Sequence, residues 1–263
     1  MTNFIKSKFG WLIVLFLCNY AIIAQINYQI DYDIYYDTDF PMIREAKLFV
    51  NNSEDKSLFV EMFGTEKPFP NRQIEEESNS NVAKQKRDYP NDYYVVDNLT
   101  KELYIIEDFY TELYKINDTY FQHKWEIDYK KQKEINGLTC HYAEMVFRGH
   151  KWEAWFTTEI PLPYGPWKLH GLPGLILETK NESNRYHFVA TKISTMKEKF
   201  ELPDFSGTKE VSLKRFIEMG QEKMDNIFNI FGNDRDVEVT RQSAPKKDLM
   251  EYDYEWEEDK KIH

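Results

Sequence analysis

QINYQIDYDIYYD, residues 25–37, decides the fold. Ile26, Tyr28, Ile30, Tyr32 and Ile34 fall on one face; Asn27, Gln29, Asp31 and Asp33 fall on the other. A period of two belongs to a β-strand with one buried face. Such a strand needs neighbours, and the chain offers them in order. AKLFV (46–50) and KSLFVEMFG (56–64) read as the next two strands, joined at Asn51–Asp55. YYVVDN (93–98), KELYIIEDFY (101–110), DTYFQHKWEIDY (118–129), LTCHYAEMVFRG (138–149) and KWEAWFTT (151–158) follow. KKQKEING (130–137) and the Gly149-His150 pair read as connections. LILETK (175–180) and RYHFVATKIS (185–194) form a last hairpin. Short strands on short turns give an antiparallel meander, not alternating strands and helices.

One amphipathic helix is expected at about 211–231, in VSLKRFIEMGQEKMDNIFNIFG. Leu213, Phe216, Ile217, Met224, Ile227, Phe228 and Phe231 recur there at helical spacing. Ser212 suits the N-cap and Gly232 the stop. Gly220, inside it, suggests close packing. The fold class expected is mainly β: an antiparallel curved sheet or half-barrel, with this single C-terminal helix.

Composition narrows the function. The formal charge is −11, which argues against nucleic-acid partners. Residues 1–24 carry Lys6 and Lys8, then an apolar stretch from Trp11 to Ile23, then Ala24. That pattern is a secretory signal peptide, too short for a comfortable membrane span. Leu17 before Cys18 does not suit lipidation. Cleavage after Ala24 removes two lysines, takes the charge to −13, and leaves Cys140 as the sole cysteine, without a disulfide. The mature chain then reads as one β-rich domain over 25–243, with a polar insertion at 64–92 and a charged, loosely attached tail at 244–263. It is expected to be exported to the periplasm or beyond, with no transmembrane span.

Catalytic fingerprints are absent: no G-x-S-x-G, H-E-x-x-H, C-x-x-C or phosphate loop occurs. Cys140 and His141 are strand neighbours on opposite faces and cannot pair simply. Asp31, Asp33, Asp37 and Asp39 read as a solvated strand face rather than a calcium loop. A metal or hydrolytic site would have to assemble across strands, from His150, His170, Cys140 and Glu153. No cofactor is expected.

The proline segment EIPLPYGPWKLHGLPG (159–174) cannot enter a central strand. Around it stand Trp152, Trp155, Tyr164, Trp167 and His170. These either line an apolar groove for a small or peptide-like ligand or pack the core around the prolines. Leu172-Pro173-Gly174-Leu175 fits a type II turn, with positive φ at Gly174 and Gly171 free for close backbone approach. Leu175 and Ile176 then enter a buried strand.

AWFTTEIPLPYGPWKLHGLPGLILE (154–178) resembles the signature of the GLPGLI family, secreted proteins of Bacteroidota named for the hexapeptide Gly171-Leu172-Pro173-Gly174-Leu175-Ile176. The likeness takes in the leader and Gly137–Cys140 and covers roughly residues 25 to 195. It implies a bacterial envelope protein, in some members encoded beside outer-membrane transporters, and no catalytic residue. The expectation is a non-enzymatic binding or accessory protein that holds a ligand or docks on an envelope partner. The alternative is a metal-dependent or hydrolytic enzyme.

Overall fold

A computed structural model describes residues 26–70, 91–109, 111–232 and 248–258. The leader expected at 1–24, the middle of the polar insertion and the helix-to-tail connection lie outside these residues. Twelve strands form one sheet: β1 (Asn27–Tyr36), β2 (Met42–Asn51), β3 (Lys56–Pro68), β4 (Asn91–Asp97), β5 (Glu102–Phe109), β6 (Glu112–Asp118), β7 (Glu126–Ile135), β8 (Leu138–Phe147), β9 (His150–Thr157), β10 (Leu175–Asn181), β11 (Tyr186–Met196) and β12 (Lys209–Ser212). Their order is β12-β6-β5-β4-β3-β2-β1-β11-β10-β9-β8-β7. The sheet is curved and open, as the pattern predicted. Among the described residues the β12–β6 pair is parallel and the other strand pairs are antiparallel.

The opening stretch becomes β1, near the middle of the sheet. Ile30, Tyr32 and Ile34 are buried, as the alternation required. On one side Tyr32 faces Ala46 of β2, and on the other it faces Ala190 of β11. Large side chains thus meet small ones across the ladder, which favours close packing.

Among the described residues no second sheet covers the inner face. The proline segment does. Ile160, Leu162, Tyr164, Trp167, Leu169 and Leu172 join the same core cluster as Ile30, Tyr32 and Ile34. Its backbone groups bond within the segment or to β10: Gly171 N–H donates to the Pro163 carbonyl (2.9 Å), and Ile176 N–H of β10 donates to the Tyr164 carbonyl (3.0 Å). A buried loop without such partners would be costly. Tyr32 Oη donates to the Ile176 carbonyl, tying β1 to the start of β10.

The turn chemistry differs from the sequence expectation. The positive φ is at Gly171 (+91°), in open space. Gly174 is not left-handed; a Cβ there would overlap the Thr157 carbonyl oxygen. The two glycines have exchanged roles, because β9 and β10 converge on Gly174.

Two strands escaped the sequence reading, and a third was misplaced. β6 and β12 were not recognised. The strand expected from residue 118 begins at Glu126 and runs through the lysines taken as a connection. β7 is an edge strand, mostly exposed, with only Ile127 and Ile135 packed half-buried on the core, and its pairing slips between Asp128 and Gln132. Neither alternation nor a buried face marks it. β3 likewise continues to Pro68, into the polar insertion.

The helix α1 (Leu213–Gly232) starts where expected, with Ser212 Oγ accepting from the Arg215 N–H (3.2 Å). Leu213, Phe216 and Ile217 pack on Ile105, Tyr114 and Ile116. Met224 is half exposed, and nothing lies near a Cβ placed on Gly220, so close packing does not explain that glycine. The tail is not loose between 248 and 258. It lies against the end of the sheet and contains a short helix α2 (Glu255–Glu258). The cause is a set of buried charges described next. Among the described residues, no helix is long and apolar enough to cross a membrane.

Candidate functional site at the end of the sheet

The site begins with a two-residue turn. Arg148 and Gly149 join β8 to β9, with φ of +45° and +91°. Positive φ at both positions suits a tight hairpin and normally selects Asn or Gly first. The β7–β8 turn obeys that preference with Asn136-Gly137. Arginine in this conformation is held by its side chain, which is buried. Arg148 Nη1 and Nη2 donate to Asp118 (2.9 and 2.6 Å), Nη1 to Glu251 (2.7 Å), and Nε to Glu255 (3.0 Å). Lys168 Nζ, from the proline segment, reaches Asp118 (2.7 Å) and Glu251 (2.8 Å).

Asp118 ends β6, and Arg148 follows β8. These strands stand nine places apart in the sheet order, so the curl of the sheet brings them together. Residues 119–125 cross between the two ends. Burial opposes the charges here, and the opposite charges outweigh it. Asp118 is held below the ordinary carboxylate range: burial pushes it up, but Lys168 and Arg148 pull it further down. Burial also works against the Arg148 guanidinium, and Asp118, Glu251 and Glu255 more than offset this. Buried pairs of this kind are weak net stabilisers, but removing one partner strands the other.

Histidines line the crossing. His170 Nδ1 and Nε2 lie 2.9 Å from the carbonyl oxygens of Lys168 and Phe121. Its ring centroid is 4.7 Å from that of His123. Burial first, then neighbouring His170, lowers His123 to about 3, so it is neutral at pH 7. Burial lowers His170 too, despite its two carbonyl contacts. Trp125 Nε1 donates to the His170 carbonyl (2.9 Å).

A cavity of about 320 Å³ opens here, walled by Phe121, His123, Phe147, Arg148, Asp253 and Tyr254. The Arg148 guanidinium lies 4.9 Å from the Phe121 ring centroid and 5.3 Å from that of Tyr254. Val146, at the rim, is 78% exposed. This arrangement offers aromatic walls and, at its edge, a guanidinium paired with carboxylates.

The residues singled out from sequence divide by face. Trp152, Tyr164, Trp167 and His170 are buried side chains of the core. They support the cavity from behind: Trp152 packs on Trp167 (5.4 Å), Trp167 on Phe147 (5.9 Å), and Phe147 on Phe121 (5.0 Å). Trp155 lies on the other face, against Tyr142 (5.4 Å) with Lys133 over its ring (4.5 Å).

The metal or hydrolytic candidates have separate partners. Cys140 is buried, its thiol pushed up to about 11 by burial, and it faces the Leu138 carbonyl. His150 lies between Glu182 (3.1 Å) and the Leu249 carbonyl (2.7 Å). Glu153 stands 3.9 Å from Lys180. Among the described residues, no three His, Cys, Asp or Glu side chains gather as a metal site.

Asp118, Arg148, Lys168 and Glu251 were missed from sequence. Arg148 alone left a signal, as an arginine where a tight turn calls for asparagine.

A family described as "Protein of unknown function (Porph_ging)", associated with Bacteroidota, matches residues 65–178, which include the hexapeptide. No curated protein matches the sequence. Two crystal forms of PNGF-II superpose with TM-scores of 0.52 and 0.51, at 16% and 17% identity. Each match covers 74% of this chain, and 33% and 32% of PNGF-II. The chain thus spans about a third of the length of that protein, and the likeness is one of fold. A LolA superfamily protein from Nitrosomonas europaea aligns over 70% of this chain and 91% of its own, at 8% identity. Its TM-score of 0.27 is too low to establish a shared fold.

Proposed function

We propose that the chain is an exported, non-enzymatic binding or accessory protein of the bacterial envelope, belonging to the GLPGLI group. It holds an apolar or peptide-like ligand at the end of the sheet, in its free form or on an envelope partner. One observation carries the reading: the cavity of about 320 Å³, with Phe121, Phe147 and Tyr254 as walls and the buried Arg148 charge at its edge. Ligand sites combine such apolar walls with a few fixed polar groups. The lysine-bearing apolar leader and the hexapeptide support the location. Trp152, Tyr164, Trp167 and His170 serve by holding the walls in place; Trp155 belongs to the opposite face.

Native mass spectrometry of the protein, purified from its own envelope without denaturant, tests this. The wild type is expected to carry a stoichiometric non-covalent mass, and folded Phe121→Glu is expected to lack it. Identical ligand-free masses for both would contradict the proposal.

A further inference from the structure

We propose that the surface under residues 248–258 is a peptide-binding site, that the chain's own segment fills it as an internal ligand, and that an acidic, aromatic segment of a partner takes its place. This goes beyond the cavity ligand proposed above: the peptide takes the surface that Asp253 and Tyr254 cover, not the cavity they help to wall.

The segment is held as a peptide ligand is held. Its backbone is read at three points. Tyr186 Oη donates to the Asp248 carbonyl (2.7 Å), His150 Nε2 lies 2.7 Å from the Leu249 carbonyl, and Tyr252 N–H donates to the Arg148 carbonyl (3.2 Å). Its side chains enter built positions. Glu251 bridges Arg148 and Lys168; Glu255 meets Arg148. The Tyr252 ring lies on Gly149, where any Cβ would overlap it, and its hydroxyl donates to the Gly149 carbonyl. Tyr254 and Trp256 stack at 4.6 Å and reach the cluster around Leu213 and Phe216. Acids and aromatics alternate from Glu251 to Trp256, matching these positions one by one.

Charge shows what the surface wants. Without the segment, Arg148 and Lys168 face Asp118 alone, and one positive charge is left over in a buried place. The segment supplies the missing carboxylates. Yet it leaves open space on both sides. Cavities of about 320 and 220 Å³ flank it, and Leu249 is 50% exposed. It pairs with no strand of the sheet. Fifteen residues (233–247) join it to α1. The covalent connection makes rebinding of the segment intramolecular, so its local concentration exceeds that of a free peptide. The segment therefore needs only modest intrinsic affinity to stay seated, and a partner on a fixed surface competes with it.

The test keeps the whole chain. A protease site placed between residues 240 and 245 is cut in the folded protein. A fluorescent peptide of residues 248–258 is then added and followed by anisotropy. The cut protein is expected to release its own segment and bind the peptide, roughly a hundredfold more tightly than the uncut protein does. A peptide carrying Glu251→Lys is expected to bind at least about tenfold more weakly. The uncut Glu251→Gln chain, with its own segment loosened, is expected to take up more peptide than the uncut wild type. A cut protein that keeps its own segment, or that unfolds, would overturn the proposal, as would equal binding of the Glu251→Lys peptide. A native ligand on the uncut chain without peptide exchange would also overturn it, while leaving the binding reading intact.

Discussion

Gly174 and Gly171 are three residues apart and meet different constraints. At Gly174 the limit is the Thr157 carbonyl, a neighbour 17 positions earlier in the chain. At Gly171 the limit is the backbone itself, at φ +91° with open space around it. Gly174→Ala must therefore push backbone aside and is expected to cost about 1–3 kcal/mol or more. Gly171→Ala pays only the left-handed conformation, about 1–2 kcal/mol. Denaturant midpoints of the two variants check the order; a milder effect at Gly174 would contradict it. The hexapeptide announced a turn from sequence because proline and glycine punctuate chains. Which glycine turned left was not readable, since spacing does not reveal what arrives from β9. Arg148 shows the same limit. An arginine in a tight turn is unusual, but nothing in the spacing reveals that Asp118 and Glu251 surround it.

Long elements with one buried face were legible; β6, short and buried only at Tyr114 and Ile116, was not. β1 alternates because its inner side chains meet the proline segment, and the hairpin of β10 and β11 follows the same logic. β7 left no trace because an edge strand need not hide either face. Its lysines also guard an open edge against pairing with other chains. Lys130→Val with Lys131→Val is expected to raise self-association, read by light scattering; an unchanged scattering mass would contradict this. The helix was read from its period and cap, but its glycine was read wrongly. Nothing crowds Gly220, so Gly220→Ala is expected to stabilise the protein by about 1 kcal/mol. A loss on thermal melting would show an unseen constraint there.

At the scale of the whole molecule, curvature makes the site. It joins the end of β6 to the turn after β8, and no sequence pattern encodes a contact between strands so far apart in the order. The same burial sets the response to pH. His123 sits at about 3 when folded and near 6.5 when unfolded, so the unfolded chain binds the extra proton between those values. Stability is thus complete above about pH 6.5 and falls as the pH drops toward 3. His170 acts in the same direction. Glu178 adds a later loss. Burial raises it, but His187 and Lys133 hold it at about 2, so its contribution fades below the ordinary carboxylate range. Melting temperatures are expected to fall from pH 7.5 to 5, and His123→Gln is expected to flatten that slope. A wild type with constant melting temperature over this interval would contradict the buried neutral histidine.

The central claim is that ligands meet this chain at the curled end of its sheet. Hydrogen–deuterium exchange of the purified protein, with and without the peptide fraction of its own envelope, tests it most directly. The account predicts new protection or release confined to residues 119–125, 146–150 and 248–258. Changes centred on the face of Trp155 and Tyr142, or none anywhere, would contradict it.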